Sequence, residues 1–117
     1  MNEEIISEQK KLCEKYGVEW VASPMDLKLG ISKDIDSGVM PINGLRHPAE
    51  NGTVGWYIWC GGDIDNNPDF WDALHVYHLE QRLPQVLKYL GLPPGWRFQI
   101  DDKGYEDVWY DENLINA

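Results

Sequence analysis

The sequence predicts an α+β fold: one antiparallel sheet with an N-terminal helix and a second helix near 79–90 packed on it. Three observations point there. Residues 3–16 carry a helical apolar stripe, with Ile5, Leu12 and Tyr16 at i, i+7 and i+11 and Ile6 and Cys13 beside them. Trp56-Tyr57-Ile58-Trp59-Cys60 is an aromatic and β-branched run with bulk on both faces, which suits a central strand. Two alternating runs, Trp96 to Ile100 and Glu106 to Tyr110, flank Asp101-Asp102-Lys103-Gly104, and that is a hairpin signature.

Taken in order, the first helix has Glu3 and Glu4 at its positive end and Lys10, Lys11 and Lys15 towards its negative end, and Gly17 supplies the stop. Val18 to Ala22 reads as a short strand ended by Ser23-Pro24. Residues 28–42 alternate loosely through Leu29, Ile31, Ile35, Val39 and Ile42, which predicts one or two short strands. Gly44 to Gly55 reads as a loop, because His47-Pro48 and Asn51-Gly52 are turn chemistry. Gly61 to Pro68 is a polar loop. Leu79, Leu83, Val86, Leu87 and Leu90 then form a helical stripe interrupted by Pro84. Either the main helix starts at Pro84 or a short lead-in is kinked there. Gly91 and Pro93-Pro94 end it. No repeat and no linker divides residues 1–117, so one domain is expected.

With 43% hydrophobic and 26% charged residues in 117, the composition is that of a globular chain. Ten Lys and Arg stand against twenty Asp and Glu, a formal net charge of −10. That disfavours nucleic acid and anionic membrane as partners, since both require cations. The first residues show neither the basic region nor the apolar run of a signal peptide. Val54 to Cys60 is far shorter than the ~20 residues a spanning helix needs. Cys13 and Cys60 lie 47 positions apart in no zinc or CxxC spacing, which suggests two reduced, buried thiols in a cytoplasmic protein.

Several patterns invite chemistry, and each has a plainer reading. Asp63-x-Asp65-x-Asn67-x-Asp69 offers the first four oxygen positions of a calcium loop. It has Pro68 where Gly is needed and Leu74 where a bidentate Glu is needed, so a solvated turn is expected. His75 and His78, with Asp72 three before, would share a face only on a helix, and Val76-Tyr77 between them favours extended chain. No metal and no cofactor is expected. Cys60 before Gly61-Gly62 could pair with His75 or His78 as a small hydrolase would require, but a Cys following Trp59 in a strand is ordinary core. No serine sits in a GxSxG elbow, and no GxxxxGK[ST] or GxGxxG is present. Trp56, Trp59, Trp71, Trp96 and Trp109 could form a carbohydrate-stacking platform, though a small core has first use for them.

The charge map is what remains. Residues 61–117 hold eleven acidic and four basic side chains, and residues 101–112 alone hold Asp101, Asp102, Glu106, Asp107, Asp111 and Glu112 against Lys103. A docking surface for a basic protein is the functional reading of Asp63, Asp65, Asp69, Asp101, Asp102, Glu106 and Asp107.

Gly55-Trp56-Tyr57-Ile58-Trp59-Cys60-Gly61, His75, His78-Leu79, Lys88-Tyr89-Leu90-Gly91-Leu92-Pro93-Pro94-Gly95-Trp96-Arg97-Phe98 and Asp107-Val108-Trp109-Tyr110-Asp111 together carry a resemblance. Over roughly residues 28–115 the chain resembles the immunity-protein family thirty-three-like domains of bacterial polymorphic toxin systems. The resemblance implies a small cytoplasmic, non-enzymatic protein that binds and neutralises a cognate toxin. It brings no catalytic residue with it.

Overall fold

The N-terminal stripe forms helix α1, Glu3–Tyr16, in the structure, a computed structural model that describes residues 1–64 and 67–116. Asn2 caps the helix, its Oδ1 accepting from the Ile5 N–H at 2.9 Å. Gly17 ends it at φ +68°, a left-handed conformation that only a residue without Cβ takes freely. Leu12 and Cys13 are buried, and α1 packs mainly on the 3₁₀ helix Pro84–Tyr89.

Among the described residues six strands form one sheet: β1 (Lys28–Ser32), β2 (Ile42–Arg46), β3 (Thr53–Cys60), β4 (Trp71–His75), β5 (Trp96–Ile100) and β6 (Glu106–Tyr110). Their order is β4-β1-β3-β2-β5-β6, so the aromatic strand β3 is central, and the β5–β6 hairpin has the expected bounds. Every pair is antiparallel except β1 with β3. Ile42 stands opposite both Cys60 and Ile100, and Ile31 stands opposite Ile58. The chain therefore leaves β1, β3 and β5 at the same end of the sheet.

Alternation divides the side chains between two faces. Leu29, Ile31, Trp56, Ile58, Phe98 and Ile100 join Val76, Leu79, Val86 and Leu90 in the main core beneath the helices. The other face carries a smaller cluster of Leu45, Trp59 and Leu114, the last from a short helix, α3 (Asn113–Asn116).

The structure corrects two sequence expectations. Val18 to Ala22 is not a strand. Its backbone is used elsewhere: the Val21 N–H donates to the Gly91 carbonyl at 2.9 Å, and the Val21 and Ala22 carbonyls accept from Arg46. Gly44 to Arg46 and Thr53 to Gly55, read as loop, belong to β2 and β3. Gly44 is in mid-strand because the Phe98 ring lies over it, where a Cβ would come within 2.1 Å of Cε2. The 79–90 stripe has the expected break at Pro84: α2 (Leu79–Arg82) leads in, Leu83 breaks the backbone at φ −153°, and a 3₁₀ helix starts at Pro84.

Arg46 joins the layers. It is 2% exposed, and among the described residues no carboxylate pairs with it. Nε donates to the Val54 carbonyl at 2.9 Å, Nη1 to those of Val21 (2.9 Å) and Leu92 (2.8 Å), and Nη2 to that of Ala22 (2.9 Å). Nη1 also approaches the Leu90 carbonyl at 3.4 Å. Leu90 and Leu92 follow the 3₁₀ helix, where unpaired carbonyls make a negative end that suits a cation. Burial holds the Arg46 guanidinium down to about 10, still charged at neutral pH. Arg46→Met strips the donors from four carbonyls, two of them buried and two part-buried, and is expected to cost about 3–5 kcal/mol in urea unfolding. Arg46→Lys, with three donors and no planar fork, is expected to recover only part of that loss.

Candidate functional site

The site is built by strand register. Cys60 and Ile100 lie two strands apart through Ile42, about 10 Å at ~4.8 Å per strand. The turns after β1, β3 and β5 therefore emerge side by side. The described residues of 33–41, 61–70 and 101–105 hold six acidic side chains (Asp34, Asp36, Asp63, Asp69, Asp101, Asp102) and two basic ones, Lys33 and Lys103. Asp107 continues this acidic edge from β6, opposite Gln99.

The predicted residues fare differently. Asp63 and Asp102 are exposed, as is Asp69 in the 3₁₀ turn Pro68–Phe70, where the Asn67 Oδ1 accepts from the Asp69 N–H at 3.0 Å. Asp65 lies outside the described residues. Asp101 shapes the hairpin turn: its Oδ1 accepts from the N–H groups of Lys103 (2.8 Å) and Tyr105 (2.9 Å). Asp34 and Asp36 were missed because they precede β2 by sequence and reach this end only through the parallel β1–β3 pairing. Asp36 is engaged by Arg82 at 2.6 Å.

Glu106 departs from the expectation of an unpaired docking carboxylate. The Tyr89 hydroxyl donates to it, and Lys88 Nζ pairs with it at 3.1 Å. It points to the helix layer, opposite Ile100 on β5. The Tyr89 hydrogen bond, helped by Lys88, holds the Glu106 carboxyl below the usual carboxylate range, while burial and that same carboxylate push the Tyr89 phenol up.

The alternative chemistries are not assembled. Cys60 is buried, its Sγ donating to the Asp34 carbonyl at 3.4 Å, and burial pushes its thiol up. His75 is level with Lys28 and Thr53, seven residues along β3 from Cys60, or about 23 Å at ~3.3 Å per residue. Asp72 and His75 sit an odd number of residues apart on a strand and so face opposite ways. The His75 and His78 rings are 6.1 Å apart, with Tyr77 packed against both. Among the described residues no three His, Cys, Asp or Glu side chains converge as metal ligands would. Trp56 is wholly buried and Trp59 is 4% exposed. Trp71 stands at 85° to Trp59 and 75° to Tyr57, so these rings are packed edge to face rather than laid out as a flat stacking row.

The elements define the class first: a two-layer α+β domain with one helix-covered sheet face, one open face and an acidic end. The chain belongs to the Imm33-like domain family, whose model matches residues 8–111. The match reaches further towards the N-terminus than the motifs of 28–115 and takes in most of α1. The family name is that of immunity proteins. No curated protein and no solved structure gives a match.

A pH dependence follows from the Glu106 pair. Because its folded pKa is depressed, the pair stabilises the fold above the ordinary carboxylate range, and that contribution is lost as pH falls through it. With the side chain 27% exposed, the contribution is about 0.5–1 kcal/mol. Glu106→Gln is expected to melt lower than the parent at pH 7, with the gap closing towards pH 3 in thermal melts.

Proposed function

We propose that this protein is an immunity protein that binds and neutralises a cognate toxin, itself basic, through the acidic end of its sheet and without catalysis. The observation that carries the reading is the gathering of carboxylates at the ends of β1, β3 and β5 in a member of this family. Asp63, Asp69, Asp102 and Asp107 are exposed and have no ion pair among the described residues. Asp101 adds charge from the turn that it shapes, and Asp65 belongs to the set by sequence. Glu106 supports the surface from behind. Like charges held together raise the local potential, speed encounter with a cationic protein and repel acidic ones.

Nucleic acid and anionic membrane are poor partners for a net charge of −10. Among the described residues no helix is long and apolar enough to cross a membrane. A cytoplasmic setting is part of the proposal, supported by two free, buried thiols, Cys13 and Cys60.

The test is capture of the partner from the native host, followed by co-expression. The captured protein should be toxic alone and harmless together with this chain. Failure to protect would overturn the reading. Asp63→Lys with Asp102→Lys should melt within ~0.5 kcal/mol of the parent, slow association and flatten the salt dependence of the on-rate in stopped flow. An unchanged on-rate would remove the acidic end from the interface.

A further inference from the structure

The open face of the sheet holds a hollow of about 430 Å³ over the first half of β3, within the ~300–1,000 Å³ range of small-ligand clefts. Thr53, Gly55 and Tyr57 alternate along β3 to make its floor. The chain at His47–Glu50 forms one wall, and Leu114 and Ile115 of α3 form the other. Its shape is set by packing. Gly55 sits at φ +88°, where a Cβ would fall 1.9 Å from the His47 carbonyl oxygen, so no side chain can occupy the floor there. The Tyr57 ring lies across Gly30 of β1, where a Cβ would reach within 2.6 Å of Cδ1. The His47 ring stands at 82° to Tyr57, and its Nδ1 lies 3.3 Å from the Leu114 carbonyl oxygen, tying α3 to the β2–β3 connection.

The lining has a definite chemistry. Leu114 and Ile115 offer aliphatic wall, with Ile115 39% exposed. Tyr57 is 37% exposed and presents a π system. Glu50 is exposed and makes no ion pair among the described residues, and Lys28, opposite Thr53 on β1, is not part of the lining. A long cationic side chain satisfies all three: its methylenes cover the aliphatic wall and its charge meets both the ring and the carboxylate. A neutral apolar side chain would desolvate Glu50 for nothing, and an acidic one would be repelled. On the same face Trp71 packs against Tyr57, and Trp109 lies under Arg97, two residues along β6 from Asp107.

We propose that this hollow receives an arginine or lysine side chain of the basic partner, which makes the open sheet face part of the docking surface. The inference rests on the immunity reading above.

The probe is Nα-acetyl-arginine N-methylamide, titrated into the ¹⁵N-labelled full chain, with the leucine analogue as control. Saturable shifts are expected at Glu50, Gly55, Tyr57 and Ile115, about fivefold weaker in Glu50→Gln, and absent with leucine. Against the captured toxin, Glu50→Lys should raise the dissociation rate about tenfold or more with the melting temperature unchanged. No saturable shift at the hollow, equal response to leucine, or an unchanged toxin dissociation rate would overturn the inference. If Glu50→Lys binds toxin normally while Asp63→Lys with Asp102→Lys slows it, the hollow falls and the immunity reading stands. If co-expression protects against nothing, both fall.

Discussion

A single buried cation organises this molecule. Arg46 ends β2 on the helix-covered face, and its guanidinium collects carbonyls from three separate stretches: Val54 on β3, Val21 and Ala22 after α1, and Leu92 after the 3₁₀ helix. Without it the Val54 and Leu92 carbonyls would be buried unpaired, at about 1–3 kcal/mol each. Neighbouring bonds reinforce the junction. Trp56 Nε1 (3.3 Å) and Ser23 Oγ (2.6 Å) donate to the Leu90 carbonyl, and Gln9 Nε2 donates to that of Leu87 at 2.8 Å. The Trp20 indole N–H in turn donates to Gln9 Oε1. The Trp56 ring beneath the guanidinium, 5.7 Å from it, adds cation–π attraction. The charge is neutralised by backbone dipoles at a helix end instead of by a carboxylate, which leaves the acidic residues for the surface.

Locking the helices to one face leaves the other face to other work. Its small cluster around Leu45, Trp59 and Leu114 closes only part of it, so Tyr57 remains over a third exposed. The acidic end comes from a different cause. Two antiparallel neighbours and one parallel pairing bring the exits of β1, β3 and β5 level, and the carboxylates of three turns meet there. Their mutual repulsion is tolerated at a solvent-exposed edge, where screening at physiological salt acts over about 8 Å. The two features share the sheet, the hollow over the start of β3 and the acidic turns at its far end.

Local features were legible in the sequence, and non-local ones were not. The α1 stripe, the Gly17 stop, the β3 run and the β5–β6 hairpin each depend on periodicity or turn chemistry within a few residues. Val18 to Ala22 has strand-like composition, yet its partners are Arg46 and Gly91, far along the chain. Gly44 looks like a turn residue until the Phe98 ring is placed over it. β4 and α3 give weak local signals and are stabilised by β1 and by Leu45 with His47 respectively. The same division holds at the site. The excess of carboxylates could be counted, but Asp34 and Asp36 join the acidic end only through register. Glu106 is paired because Tyr89 and Lys88 reach it from the helix layer. The hollow over Tyr57 had no sequence signal at all, since Gly55 and Gly30 create it by what they lack.

That the sheet, and not the helix layer, meets the partner is the claim on which the functional reading turns. Hydrogen–deuterium exchange, comparing the protein alone with its complex with the captured toxin, addresses it directly. Added protection in the turns 61–64 and 101–105 and along β3, with α1 unchanged, is the predicted result. Protection concentrated on α1 and Pro84–Tyr89, with those turns exchanging as in the free protein, would contradict it.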